Sequence, residues 1–158
     1  MQNQIKTLIP DGEKFIISEA FGYSSRGIPG LEIVGLGKRS RLFKEKVNFI
    51  TRKFGLKVEA RRFVICIDDE CIDQYKPSSI QYLELPLMLL YWSLGGVINI
   101  HNLEDCLCGG RVTADGTFKT LSGNLLNSNY TMITSDDSYA FYQGRSISLS
   151  QILSNSFK

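Results

Sequence analysis

The feature that most constrains the fold is an apolar segment in the middle of the chain. Residues Tyr82–Leu94 are apolar on nearly every face of a helix, so such a helix must pack against neighbours on both sides. Gly95 and Gly96 can stop it, and Pro86 is tolerated only in its first turn, which places the helix start near Glu84. The sequence therefore predicts a fold built around one enclosed helix.

The composition is that of one globular domain. Of the 158 residues, 43% are hydrophobic and 22% are charged, which excludes a disordered chain, and the glycines and prolines follow no collagen-like period. The uncharged stretch Leu85–Leu103 approaches the length of a membrane span, but glycines and polar residues interrupt it. We expect a single domain over residues 1–158, with no membrane partner.

The cysteines and acidic residues also bear on location and cofactors. No apolar signal segment follows Met1, so we expect a cytoplasmic protein with reduced cysteines. The spacings Cys66-x4-Cys71 and Cys106-x-Cys108 favour buried thiols over structural zinc. The acidic run that follows Ile67 lacks the spacing of a calcium loop and is more typical of a solvated loop. The sequence predicts no cofactor and no metal.

Hydrophobic periodicity predicts the order of the elements. Alternation on both sides of Asp11-Gly12 indicates an opening β-hairpin, and Asp115-Gly116 indicates a second one. The resulting order predicts an α/β fold, specifically an α+β two-layer sandwich. Strands are expected at Ile5–Ile9, Phe15–Phe21, Leu31–Leu36, Phe63–Ile67, Leu107–Thr113, Thr117–Leu121 and Tyr130–Thr134, and further helices over Ser40–Phe54 and from Leu149 to Phe157.

Charge is distributed unevenly. Residues 38–62 hold ten Lys or Arg against two Glu, net +8, whereas the remainder holds 8 basic against 14 acidic residues, net −6. On the Ser40–Phe54 helix the cations lie on the face opposite the apolar arc and on its flanks. A positive face of this kind can neutralise phosphates. The candidate nucleic-acid or partner-binding residues are Lys38, Arg39, Arg41, Lys44, Arg52, Arg61 and Arg62.

Several segments carry a family resemblance. The stretch Ile28–Leu36 (IPGLEIVGL), followed by a basic helix and by Arg62–Ile65, resembles the amino-terminal ChlI domain of magnesium-chelatase-related ComM/YifB-type ATPases. Tyr82–Pro86 resembles that family's aromatic-x-acid-Leu-Pro helix start. Gly109–Lys119 resembles its Gly-Glu-Leu-x-x-x-Gly-x-x-Arg hairpin. The resemblance covers roughly residues 4–134 and weakens after Asn124.

The resemblance implies a fold similar to the second domain of ribosomal protein S-five, which the Lon protease domain shares. The chain departs from the family pattern at Ile67–Glu70, where relatives carry Asn-Leu-Ala-Pro, and at Gly110, where they carry Glu. Full-length relatives also contain an AAA+ motor. In this chain Gly35–Ser40 does not form a phosphate loop, because Glu32 occupies the first glycine position and Arg39 follows Lys38. We therefore expect no AAA+ module within these residues.

A Lon-type peptidase is an alternative that the resemblance raises. It would need a serine nucleophile and a lysine base, but the implied serine position is Glu84 and the implied lysine position lies near Leu125. Ser78 and Ser79 lie close to Lys76, with Lys119 as another possible base, yet this pattern is more typical of a solvated loop with helix-capping serines.

Three functions stay open from the sequence, and the first is favoured. It is a non-catalytic binding or assembly module, linked to DNA processing or competence, that contacts DNA or an acidic protein surface and works with a separately encoded AAA+ ATPase subunit. The second is a divergent Ser/Lys peptidase. The third is a purely structural protein-interaction domain. The sequence predicts no catalytic residue for the favoured function.

Overall fold

The computed structural model describes residues 1–121, 130–135 and 146–156, and within them the chain has a mixed α/β fold, as expected. Four α-helices and nine strands are present in these ranges. The strands are β1 (Gln2–Asp11), β2 (Lys14–Ser25), β3 (Gly30–Val34), β4 (Arg62–Asp68), β5 (Cys106–Cys108), β6 (Gly110–Val112), β7 (Phe118–Thr120), β8 (Thr131–Thr134) and β9 (Ser146–Ser148), and the helices are α1 (Ser40–Lys53), α2 (Pro77–Ile80), α3 (Glu84–Leu94) and α4 (Leu149–Ser156).

Seven of the strands form one mixed sheet in the order β3-β4-β2-β1-β5-β8-β9. The predicted opening hairpin is its centre: β1 and β2 pair antiparallel from Gln2 opposite Tyr23 to Asp11 opposite Lys14. Gly12 adopts a φ of 63° in the connecting turn, a conformation that favours glycine. β3 pairs parallel with β4, as the intervening helix α1 requires.

Helix α3 is enclosed, as its sequence predicts. Every residue from Glu84 to Leu94 is buried, and Gly96 adopts a φ of 75° just beyond the helix end. The ring of Trp92 is fully buried and lies edge-on to Phe54. Its indole N–H donates to the Thr51 hydroxyl at 2.9 Å, which ties α3 to α1. These contacts place α1 on the same side of the sheet as α3.

The predicted strand Leu107–Thr113 is wrong as a single element, because it divides at Gly109. β5 pairs parallel with β1 in the large sheet, whereas β6 leaves that sheet and pairs antiparallel with β7. A Cβ atom on Gly109 would lie only 2.4 Å from the carbonyl oxygen of Leu8. A side chain is therefore excluded at the point where the chain changes sheets. The predicted hairpin around Asp115-Gly116 itself is confirmed.

The segment after Lys76 also differs from expectation. Pro77–Ile80 form the short helix α2, in which Ser79 is buried and Ser78 is exposed, so the expected solvated loop is wrong for part of this segment. Proline at the first helical position is compatible with this start, because its missing N–H would have no partner there. Strand β9 was not predicted. The predicted closing helix is confirmed as α4, although its predicted last residue, Phe157, lies outside the described residues.

Candidate nucleic-acid interface

Helix α1 carries the site. Its inner face is formed by Phe43, Val47, Ile50 and Thr51, which are buried against the sheet and α3. The spacing of these residues matches one face of a helix, so the residues between them must point sideways or outward. Gly55, with a φ of 67°, follows the helix end as the sequence predicts. The buried arc therefore fixes which cations face solvent.

Five of the predicted binding residues lie on or directly before α1. Lys38 and Arg39 occupy the single 3-10 turn that precedes the helix, and Arg41 and Arg52 are exposed on its outer face. Arg52 follows Arg41 by eleven positions, so their backbones lie about 16 Å apart along the axis. Lys44 is half-buried on one flank. We call this set the basic surface: Lys38, Arg39, Arg41, Lys44 and Arg52.

No ion pair neutralises the basic surface in the part of the chain that the structure describes. The three ion pairs found there are Lys6–Glu19, Arg62–Glu32 and Lys46–Glu84, and none uses a member of the basic surface. The one carboxylate on the outer face of α1 is Glu45, which is exposed. Unpaired cations concentrated on one helix produce a positive local potential that attracts anions.

Arg61 and Arg62 lie apart from most of the basic surface. The Arg62 side chain pairs with Glu32 at 3.1 Å on the sheet face that points away from α1. A hydrogen bond with Tyr23 raises the pKa of Arg62, and the Glu32 charge raises it further. Arg61 is half-buried, and its Nε atom is buried without a hydrogen-bond partner among the described residues.

Lys44 is the member of the basic surface that comes near Arg62. Both line a shallow depression of about 330 Å³ at the start of β3, beside Ile28. The predicted set therefore divides. Lys38, Arg39, Arg41 and Arg52 follow the helix, Lys44 and Arg62 meet at the sheet edge, and Arg61 contributes mainly backbone hydrogen bonds, including Gly30 N–H to its carbonyl oxygen at 3.1 Å.

Two apolar residues on the outer side of α1 are not among the predicted site residues. Leu42 is 68% exposed and Phe49 is 56% exposed. They are seven residues apart, about two helical turns, and therefore lie on one stripe of the helix. Both line a groove of about 590 Å³ that also includes Arg39, Pro77 and Ala114. The signal was present in the sequence, because both are large apolar residues outside the predicted buried arc.

An ion pair connects α1 to the buried start of α3. Lys46 Nζ donates to Glu84 Oε2 at 2.6 Å, and the Val112 N–H donates to Glu84 Oε1 at 3.0 Å. Glu84 is buried at the first position of α3, where the helix dipole favours a carboxylate. This arrangement uses Lys46 inside the structure, so that lysine does not belong to the basic surface.

The residues considered for a peptidase are not arranged as a Ser/Lys pair. Neither Ser78 nor Ser79 makes a side-chain hydrogen bond to a lysine among the described residues. Lys119 lies on β7 and is exposed. The position near Leu125 that the resemblance implies for a lysine base lies outside the described residues.

The cysteines carry free thiols. Cys106 and Cys108 are buried, and burial raises the pKa of both, that of Cys106 to about 11.

Asp69 accepts hydrogen bonds from Ser18 Oγ, Tyr75 Oη and the Cys71 N–H, so it anchors the acidic loop that follows β4. Across residues 1–121, 130–135 and 146–156, no three His, Cys, Asp or Glu side chains gather in a group that could hold a metal ion.

No protein-family model matches this chain, and the search of curated proteins finds no match either. The described part of the chain also contains no helix that is both long enough and apolar enough to span a membrane.

Proposed function

We propose that this protein is a non-catalytic binding module that contacts nucleic-acid phosphates through the basic surface. The observation that carries the proposal is the set of five cations on and before α1 that have no ion-pair partner among the described residues. Phosphate contacts by Lys and Arg release condensed counterions, which provides affinity without any need for base-specific contacts.

The fold makes the helix suitable for this role. The inner face of α1 is buried and is anchored by the Trp92–Thr51 hydrogen bond and by the Lys46–Glu84 ion pair. Rigid elements hold binding groups more accurately than loops do. The outer cations therefore share one fixed frame, with Arg41 and Arg52 near opposite ends of the helix.

The resemblance to the ChlI domain supports a ribosomal protein S-five-like fold and a role beside a separately encoded AAA+ ATPase in DNA processing or competence. We also place the protein in the cytoplasm, where its four free thiols would stay reduced. An acidic protein surface is the second candidate partner, and the exposed Leu42 and Phe49 beside the cations favour it.

The test is a fluorescence-anisotropy titration of labelled double-stranded and single-stranded DNA at low salt. The wild-type protein should bind, and Arg41→Glu with Arg52→Glu should weaken binding at least tenfold, because two attractive contacts become repulsive. Lys14→Glu with Arg26→Glu is the matched control, since it changes the net charge equally at exposed positions outside the basic surface. Equal loss in both double variants would mean that only net charge matters and would overturn the proposal.

A further inference from the structure

The sheet face that points away from α1 and α3 exposes apolar side chains. Ile17, Phe21, Tyr23 and Val34 are between 40% and 44% exposed, and they alternate with residues that are buried toward the helices. We call this side of β2, β4 and β3 the open face. An antiparallel sheet with one solvated face normally carries polar residues on that face. The four exposed apolar side chains therefore mark a band of the open face that a partner can cover.

The apolar side chains form one band across three strands. Phe21 lies opposite Cys66 in the β2–β4 pair, and Cys66 lies opposite Val34 in the β4–β3 pair. Tyr23 lies opposite Val64 in the same way. Directly opposed residues in a sheet are close enough for their side chains to touch. The band therefore offers continuous contact area.

Away from the Lys44 and Arg62 edge, the charge on the open face is negative. Among the described residues, Arg62 on β4 pairs with Glu32, and Lys6 on the neighbouring strand β1 pairs with Glu19. Asp68 on β4 and Glu104 at the Gln2–Gln4 side are exposed and form no ion pair among the described residues. A partner with apolar and basic residues on one surface would complement this face.

The chain carries such a surface on its own helix α1. Leu42 and Phe49 form an exposed apolar stripe, and Arg39, Arg41 and Arg52 lie beside it. Because α1 packs on the other side of the sheet, its outer surface cannot reach the open face of the same molecule. The two complementary surfaces can meet only between two molecules.

We propose that the open face binds helix α1 of a second copy of this chain. Leu42 and Phe49 of one copy would pack on the Phe21, Tyr23 and Val34 band of the next, with the arginines of α1 near Asp68 and Glu104. Helices would then cover both faces of the sheet. The contact is head-to-tail, so a dimer keeps one unused helix surface on one copy and one unused open face on the other, and further copies can add to it.

This inference is independent of the proposed function, because its test contains no nucleic acid. It also connects to that function, since phosphates and the second copy use adjacent parts of α1. Nucleic acid that occupies the basic surface should therefore compete with self-association. The charges across the contact should make it weaker at high salt.

Sedimentation velocity with complementary variants tests the proposal. The wild-type mass should rise above 17.8 kDa as protein concentration increases at about 50 mM salt, and less so at about 500 mM. The helix variant Leu42→Glu with Phe49→Glu, and the sheet variant Phe21→Lys with Val34→Lys, should each be monomeric alone. Their equimolar mixture should form a dimer and nothing larger, because only one intact contact remains. Ile28→Glu, at an exposed apolar residue outside both surfaces, should associate like wild type.

Three outcomes would overturn the proposal. The first is a wild-type protein that stays monomeric at every concentration. The second is a helix variant that dimerises alone, since that would mean that two open faces pair symmetrically. The third is a mixture that remains monomeric although far-UV circular dichroism and thermal denaturation show both variants folded. If either variant is unfolded, Arg41→Glu with Arg52→Glu replaces the helix variant and Phe21→Ser with Val34→Ser replaces the sheet variant, with the same expected result.

Discussion

Lys46 and Glu84, which lie 38 residues apart in the sequence, form an ion pair of 2.6 Å between α1 and α3. The Glu84 carboxylate is buried, and its other oxygen accepts the Val112 N–H. One side chain thus connects the helix that carries the basic surface, the enclosed helix and the β6–β7 hairpin. We therefore expect the position of the basic surface to depend on this connection.

Replacement of Glu84 should destabilise the protein strongly. Glu84→Ala leaves the Val112 N–H buried without an acceptor and Lys46 without its counter-ion, so we expect a loss of about 3 kcal/mol in the free energy of unfolding. Glu84→Gln keeps an acceptor for the N–H and should lose less, about 1–2 kcal/mol. Urea denaturation measures both values.

The control for this prediction is the surface pair of Lys6 and Glu19. Glu19 is partly exposed and its distance to Lys6 is 3.4 Å, so Glu19→Gln should cost less than about 1 kcal/mol. A Glu84→Ala variant as stable as Glu19→Gln would show that the buried pair does not hold α1 against α3.

The Trp92–Thr51 contact should be sensitive to loss of one hydroxyl group. Thr51 Oγ1 accepts the Trp92 indole N–H at 2.9 Å and donates to the Val47 carbonyl oxygen at 2.6 Å. Thr51→Val keeps the shape but leaves the indole N–H unpaired in a buried place, which should cost about 1–3 kcal/mol. Thr51→Ser retains the hydroxyl and should cost less.

Fluorescence provides a second measurement of that contact, because Trp92 is the one tryptophan in the sequence. The emission maximum of native Thr51→Val should differ from that of wild type, while Thr51→Ser should keep the wild-type spectrum. Unchanged stability and an unchanged spectrum in Thr51→Val would show that the hydrogen bond contributes little.

Tyr75 should make the stability depend on pH in the alkaline range. Burial, together with the adjacent Asp69, raises the pKa of Tyr75 to about 12. In the unfolded chain the pKa is about 10, so the native state retains the proton longer. The stabilisation of the native state by the protonated Tyr75 is fully present below pH of about 10 and is lost as the pH rises toward about 12.

The comparison with Tyr75→Phe isolates this effect. Between pH of about 10 and 11, wild type should lose up to about 1 kcal/mol more of its unfolding free energy than Tyr75→Phe. At neutral pH the variant should be about 1–2 kcal/mol less stable, because the hydrogen bond to Asp69 is gone. Parallel stability curves for the two proteins across the alkaline range would contradict the prediction.

The sequence was sufficient where local pattern determines structure. The apolar period of α1 predicted its buried face, and the uniform apolarity of Tyr82–Leu94 predicted an enclosed helix, because burial on all sides leaves no other arrangement. The division at Gly109 was not predictable in this way, since it depends on the approach of the Leu8 carbonyl from a strand about a hundred residues earlier.

The part of the candidate site that lies on α1 was predictable from the helical period, but the contacts between distant segments were not. The helical period placed Arg41 and Arg52 on the exposed face of α1, where the structure has them. Arg62 was grouped with them by sequence proximity, but the alternation of β4 directs its side chain to the open face. The partner of Glu84 could not be read from the sequence, because the pairing depends on how α1 packs on α3.

The most direct test of the central claim is the salt dependence of DNA binding. A labelled duplex of about 20 base pairs exceeds the span of α1 along B-form DNA and provides phosphates for the whole basic surface. The logarithm of the wild-type association constant should fall linearly with the logarithm of salt concentration. The magnitude of this slope should fall by about 2 in the variant that combines Arg41→Glu with Arg52→Glu. It should not change in the variant that combines Lys14→Glu with Arg26→Glu. No binding at low salt, or a slope unchanged by the substitutions on α1, would contradict the account.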